Sequence, residues 1–151
     1  MPDRFVKLIA TFCYVGYLPL GPGSMASIAG ALLCGAVQAN PVVYVIVLAV
    51  ITFLGFRVSD RMEAIAGSKD PSCIVIDEVA GVMIGFWGLP WTWPVIITAF
   101  FVFRAFDMFK IYPANRLESM KGGVGVMMDD IVAGVYTLIT MHLAVRLAGL
   151  I

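Results

Sequence analysis

The sequence predicts an all-α integral membrane protein, a compact bundle of about five transmembrane or partly inserted helices with an N-terminal interfacial helix. The composition is 61% hydrophobic and 13% charged over 151 residues, where soluble domains average about 45–50% and about 25%. Apolar runs occupy about 24–39, 41–57, 74–89, 94–110 and 128–151. The charges gather at one end of these runs, as membrane topology demands.

Each element has its own signal. The opening MPDRFVKLIATF places Arg4 and Lys7 before a short apolar stretch with no small-residue cleavage pattern. That predicts an amphipathic helix at the interface over roughly 3–14, not a removed signal peptide. The Gly/Pro loop GYLPLGPGSMAS leads into the first run, and ANP, GLPWTWP and KGG punctuate the later ones. Several runs are only about 16 residues, short of the roughly 20 needed to cross a bilayer perpendicularly. The whole chain, 1–151, reads as one domain.

Threading the runs alternately puts the N-terminus, 57–73 and 104–130 on one side. That side holds Arg57, Arg61, Lys69, Arg104, Lys110, Arg116 and Lys121, and all ten acidic residues; of the ten basic ones only Arg146 lies towards the other. The opposite turns carry no charge but do carry Trp91 and Trp93, as an aromatic belt would. The charged side is therefore expected to be cytoplasmic.

Several function classes are excluded. Zero net charge argues against nucleic acid. Cys13, Cys34 and Cys73 form no CxxC, and His142 is the single histidine, which argues against a zinc site. A cysteine-nucleophile phosphatase needs an arginine where Val79 follows Cys73, and His142 lies deep in the last run. No DxDx(T/V) motif follows a strand, and the spaced CDP-alcohol phosphotransferase pattern is absent.

Three polar clusters converge on the charged side. In the first, Gly21, Gly23 and Ser24 precede a helix whose free N–H groups suit a phosphate. In the second, KDPSCIVIDEVAG, Asp77 and Glu78 sit within an apolar run; pointing about 100° apart, one is expected to face the site and the other the headgroups or a basic neighbour. The third joins FRAFDMFKIYPANRLE to GGVGVMMDDIVAG. There Arg104, Asp107 and Lys110 share a broad helix face, and Asp129 and Asp130 stand at the threshold of the last run. Asp77, Glu78, Asp107, Asp129 and Asp130 exceed what Arg104 and Lys110 neutralise, so a cation is expected. An all-oxygen ligand set suits Mg²⁺. With arginine, lysine and a helix N-terminus, this describes phosphoryl transfer. The competing reading is a small membrane transporter or ion-conducting subunit using intramembrane carboxylates. An ion path would carry polar groups through the full depth, whereas these stop at one edge.

GYLPLGPGSMAS, IVIDEVAG, FRAFDMFK and GGVGVMMDDIVAG, in this order, resemble the phosphatidylglycerophosphatase A family over about 16–136. The resemblance implies a Mg²⁺-dependent, multi-pass enzyme of the bacterial inner membrane. It would convert phosphatidylglycerophosphate to phosphatidylglycerol on the cytoplasmic leaflet. KIYP departs from the family's lysine-proline-aromatic-proline, with Ile111 replacing the first proline, and Ser24 stands where threonine is usual. Neither change removes a charge. On this reading Asp77, Glu78, Asp129 and Asp130 supply Mg²⁺ ligands, directly or through water. Arg104 and Lys110 neutralise the phosphate with the amides near Gly23 and Ser24, and Asp107 is a ligand or the base. Attack by water and a covalent aspartyl intermediate both remain open, as does which of Asp129 and Asp130 orients the water.

Overall fold

In a computed structural model, which describes residues 1–120 and 122–149, the apolar runs fold as helices and no strand occurs among the described residues. The helices are α1 (Asp3–Ala10), α2 (Pro22–Val37), α3 (Pro41–Ala66), α4 (Ile76–Gly85), α5 (Trp93–Phe109), α6 (Ala114–Leu117) and α7 (Gly123–Leu147). Prolines in the first turn open α2, α3 and α5, where a missing N–H costs nothing. Asn40 caps α3, its Oδ1 accepting from the N–H groups of Val42 at 3.0 Å and Val43 at 3.3 Å.

Three boundaries differ from the sequence expectation. The N-terminal helix ends at Ala10 instead of near 14, because Phe12, Cys13 and Tyr14 all take positive φ. The second apolar run continues past 57 to Ala66. Its charged extension keeps an apolar inner face, with Val58 and Met62 buried beside Val6 and Ala10 of α1. The last helix begins at Gly123, so Asp129 and Asp130 lie in its second turn instead of at its threshold. There α7 presses on α3: the N–H of Gly123 donates to the Asp60 carboxylate, and a Cβ on Gly123 would overlap the carbonyl of Phe56. Lys121, counted above among the charges of this loop, and the last two residues of the final run lie outside the described residues.

The helices are of unequal length. α3 and α7, with 26 and 25 residues, are long and apolar enough to cross a membrane. α2 and α5 have 16 and 17 residues. α4 has only 10, about 15 Å of helix, and is buried along most of its length against α2, α3 and α7. Glycines permit this. A Cβ on Gly134 of α7 would overlap the Gly81 carbonyl of α4, and one on Gly85 would lie 2.9 Å from Thr137 Cγ2. Small residues at such crossings let backbones touch. Towards the end of α4, the Met83 carbonyl accepts from the Tyr44 hydroxyl at 2.6 Å within an apolar cluster that includes Cys34, Phe86, Phe103 and Met141. The outward faces of the long helices are also apolar: Leu32, Phe53, Phe101, Ile139 and Leu143 are all more than half exposed.

Candidate active site

Five chain segments meet at one end of the bundle: the start of α2, the loop before α4, the start of α4, the end of α5 and the second turn of α7. They enclose a cavity of about 370 Å³. Every residue singled out in the sequence lines it: Gly23, Ser24, Asp77, Glu78, Arg104, Asp107, Lys110, Asp129 and Asp130. Distances within it separate their roles.

Asp77, Glu78 and Asp130 form one group, each offering an oxygen within 4.8 Å of the others. Asp77 and Glu78 stand in the first turn of α4, where the helix dipole favours carboxylates. Both line the cavity, although their angular separation predicts that one turns away. Gly23 explains the room for the second: a Cβ there would overlap Glu78 Oε1 and come within 3.4 Å of Arg104 Nη1. Asp77 Oδ1, Glu78 Oε2 and Asp130 Oδ1 are buried without a hydrogen-bond partner. Three buried anionic oxygens without donors are a costly arrangement that a hard divalent cation would relieve, so the donor set fits Mg²⁺.

Asp129 is differently engaged. Its Oδ2 accepts from Lys110 Nζ at 2.9 Å and its Oδ1 from the Asp130 N–H at 3.1 Å. Lys110 ends α5 in a left-handed conformation (φ 43°, ψ 57°) and also contacts Glu118 Oε1 at 2.6 Å. Burial alone would pull the Lys110 ammonium down, but its bonds to Glu118 and Asp129 outweigh this and hold it above the usual lysine range. It is therefore a fixed positive charge at neutral pH. Arg104 is held by Asp107, Nη1 to Oδ2, at 2.6 Å. The third positive element is the α2 N-terminus. No side chain caps it, and the first amide to bond back is that of Met25, to the Gly21 carbonyl at 3.1 Å. Gly23 and Ser24 lie ahead of it, on the cavity wall.

Sequence reasoning passed over several residues. Asp70 and Ser72 also line the cavity; Asp70 adopts φ 45° and its N–H donates to Glu63 Oε1 at 2.7 Å. The Asp-Pro turn in KDPS was the available signal. Glu118 is a partner of Lys110. Asp60, which fixes the start of α7, has no local signature. His142 stays apart as expected, with Nε2 2.9 Å from the Trp87 carbonyl.

Carboxylates set against an arginine, a lysine and a helix N-terminus at the end of a helical bundle suit phosphoryl chemistry. The family described as Phosphatidylglycerophosphatase A matches residues 8–145. The chain is 37% identical over 153 residues to the Putative phosphatidylinositol-3-phosphatase of Bacteroides thetaiotaomicron, with 95% of each chain covered. It is 32% identical over 143 residues to the Phosphatidylglycerophosphatase A of Haemophilus influenzae, covering 90% of this chain and 86% of that one. With the Escherichia coli protein of the same name the identity is 33% over 125 residues, covering 80% and 72%. No solved structure matches the chain. The protein belongs to the phosphatidylglycerophosphatase A family.

Proposed function

We propose that this chain is a Mg²⁺-dependent lipid phosphatase that hydrolyses the terminal phosphate monoester of phosphatidylglycerophosphate to phosphatidylglycerol and phosphate. The observation that carries the reading is the trio of partnerless buried oxygens on Asp77, Glu78 and Asp130, in one cavity with Arg104 and Lys110. Those three carboxylates would hold the ion, which when bound supplies charge neutralisation at the phosphate oxygens. Arg104, oriented by Asp107, and Lys110, oriented by Asp129, neutralise the remaining phosphate charge. The amides of Gly23 and Ser24 receive a third oxygen. Asp107, which holds Arg104 through Oδ2, is the base that would take the proton of an attacking water. Asp129 engages Lys110 with one oxygen and the Asp130 N–H with the other, which supports a role in positioning charge.

The same reading puts the bundle in a bacterial inner membrane, multi-pass, with the cavity at the cytoplasmic face. Apolar outward faces on α2, α3, α5 and α7 support this, as does the confinement of charge to one end. The diacyl tails stay in the bilayer while the phosphate enters the cavity. Family membership favours the enzyme over an ion-conducting subunit.

The test is phosphate release by purified protein from phosphatidylglycerophosphate with Mg²⁺, with a chelator, and with Mg²⁺ restored. Turnover should stop on chelation and return with the ion; undiminished activity without metal would overturn the cation site. Phosphatidylinositol 3-phosphate belongs in the same assay, because the Bacteroides relative is named for it and matches along nearly the whole chain. A clear preference for that lipid would reassign the headgroup while leaving the chemistry intact.

A further inference from the structure

A second and larger cavity, about 750 Å³, lies away from the carboxylates, in the seam between α2 and α5. Its walls are Ala31, Leu32 and Gly35 on one side and Trp91, Trp93 and Ile96 on the other, with no charged group among its lining residues. Small side chains create it. Ala31 and Gly35 lie one above the other on α2, and a Cβ on Gly35 would meet the Trp91 indole at 2.6 Å. The indole thus packs directly on Gly35.

The position of this groove relative to the active site follows from helix register. On α2, Ser24 lines the polar cavity and Leu32 lines the groove, with the exposed Ile28 midway. On α5, Arg104 lines the polar cavity and Ile96 the groove, with the half-buried Phe100 midway. Both series step by four, so each forms one continuous stripe. The two cavities therefore lie along the same pair of helices, the polar one at the start of α2 and the apolar one towards its end. Eight residues separate the paired positions, about 12 Å on each helix. One leaflet of a bilayer is roughly 15 Å of hydrocarbon. The offset from phosphate seat to groove is thus within the reach of one acyl chain.

We infer that the α2/α5 groove is an acyl-chain site for the phosphomonoester lipid whose headgroup occupies the polar cavity. This rests on the lipid-phosphatase reading and extends it, since it makes the enzyme a reader of chain length as well as of phosphate. A lipid so held has its head and one tail fixed by the same two helices, which limits how far its phosphate can wander from Arg104.

The experiment compares hydrolysis of phosphatidylglycerophosphates with four-carbon and sixteen-carbon chains by wild type, Leu32→Trp and Leu143→Trp. Leu32 and Leu143 are exposed, at 71% and 58%, so both variants are expected to fold. Wild type should favour the long chain in kcat/KM by about tenfold or more, as burial of several methylenes implies. Leu32→Trp, which plugs the groove, should bring the two chains to within about twofold while keeping short-chain turnover. Leu143→Trp, on α7 and outside the groove, should behave as wild type. An unchanged chain preference in Leu32→Trp would overturn the proposal, as would equal loss in both variants. A change in the mass of the detergent-solubilised protein on Leu32→Trp would also overturn it, by making the groove a contact with a second copy. A separate arm needs no turnover: tryptophan fluorescence is titrated with phosphatidylglycerophosphate brominated on its acyl chain, against equally brominated phosphatidylcholine. Saturable quenching by the first lipid, well beyond that given by the second, is expected. Equal quenching by both overturns the acyl-chain site, whereas failure of wild type to release phosphate from any chain length sinks the phosphatase reading instead.

Discussion

Asp129 faces Lys110 across the cavity, Oδ2 to Nζ at 2.9 Å, while its Oδ1 accepts from the backbone of the residue that follows it. Asp130, one position along, keeps a buried oxygen without any donor. Two adjacent aspartates thus serve different ends of the cavity. Replacing Asp130 with Asn should abolish both phosphate release and Mn²⁺ binding followed by electron paramagnetic resonance. Asp129→Asn should leave Mn²⁺ binding in place yet lower kcat/KM about 10²-fold, the usual scale for a misplaced charge-stabilising group. Equal loss of metal binding in the two variants would refute this division of labour.

Gly23 is the narrowest fit in the site. Its missing Cβ is the space in which Glu78 and the Arg104 guanidinium come together. Gly23→Ala must push one of them aside, and a displacement of about 1 Å costs on the order of 10² in rate. The thermal unfolding midpoint should scarcely move, because Gly23 lies in the first turn of α2 at the cavity rim. A variant with wild-type kcat/KM would show that Glu78 and Arg104 need not be where they stand.

Asp60 acts on the site from α3 by holding the first amide of α7, the helix that carries both aspartates. Asp60→Ala should destabilise the protein by about 1 kcal/mol, as loss of a helix cap does. Asp60→Asn keeps an accepting oxygen and should restore most of the stability. If Asn fails where Asp succeeds, the charge of Asp60 matters more than its hydrogen bond.

At the α4/α7 crossing, Gly134 leaves no room for a side chain against the Gly81 carbonyl. Gly134→Ala should cost about 1–3 kcal/mol through overpacking, read as a lower unfolding midpoint in detergent. Activity should fall with it, since this contact sets the distance between Asp77 on α4 and Asp130 on α7.

Composition and charge placement made the helical architecture and the membership of the polar cavity legible, because apolar runs and charge clusters are local in sequence. Helix lengths were less so. The tail of α3 hides an apolar face beneath Arg57, Asp60 and Arg61, and a hydropathy window averages that face away. The early start of α7 depends on Asp60 and Phe56, more than sixty residues upstream, and so leaves no mark near Gly123. Within the site, residue types announced a cation and a phosphate but not the pairing. Whether Asp129 or Asp130 meets Lys110 is decided by the left-handed turn at Lys110, which brings the end of α5 over α7. Asp70 and Ser72 were missed because an Asp-Pro turn is common wherever a chain reverses.

The brevity of α4 has a consequence for what can pass through this molecule. The helix bearing Asp77 and Glu78 stops after ten residues, and its far end at Met83 packs with Phe86, Phe103 and Met141 in the apolar cluster. Among the described residues, the carboxylates of the cavity accordingly stop short of this cluster. On the proposed reading, the released phosphate would leave on the side from which the substrate headgroup entered.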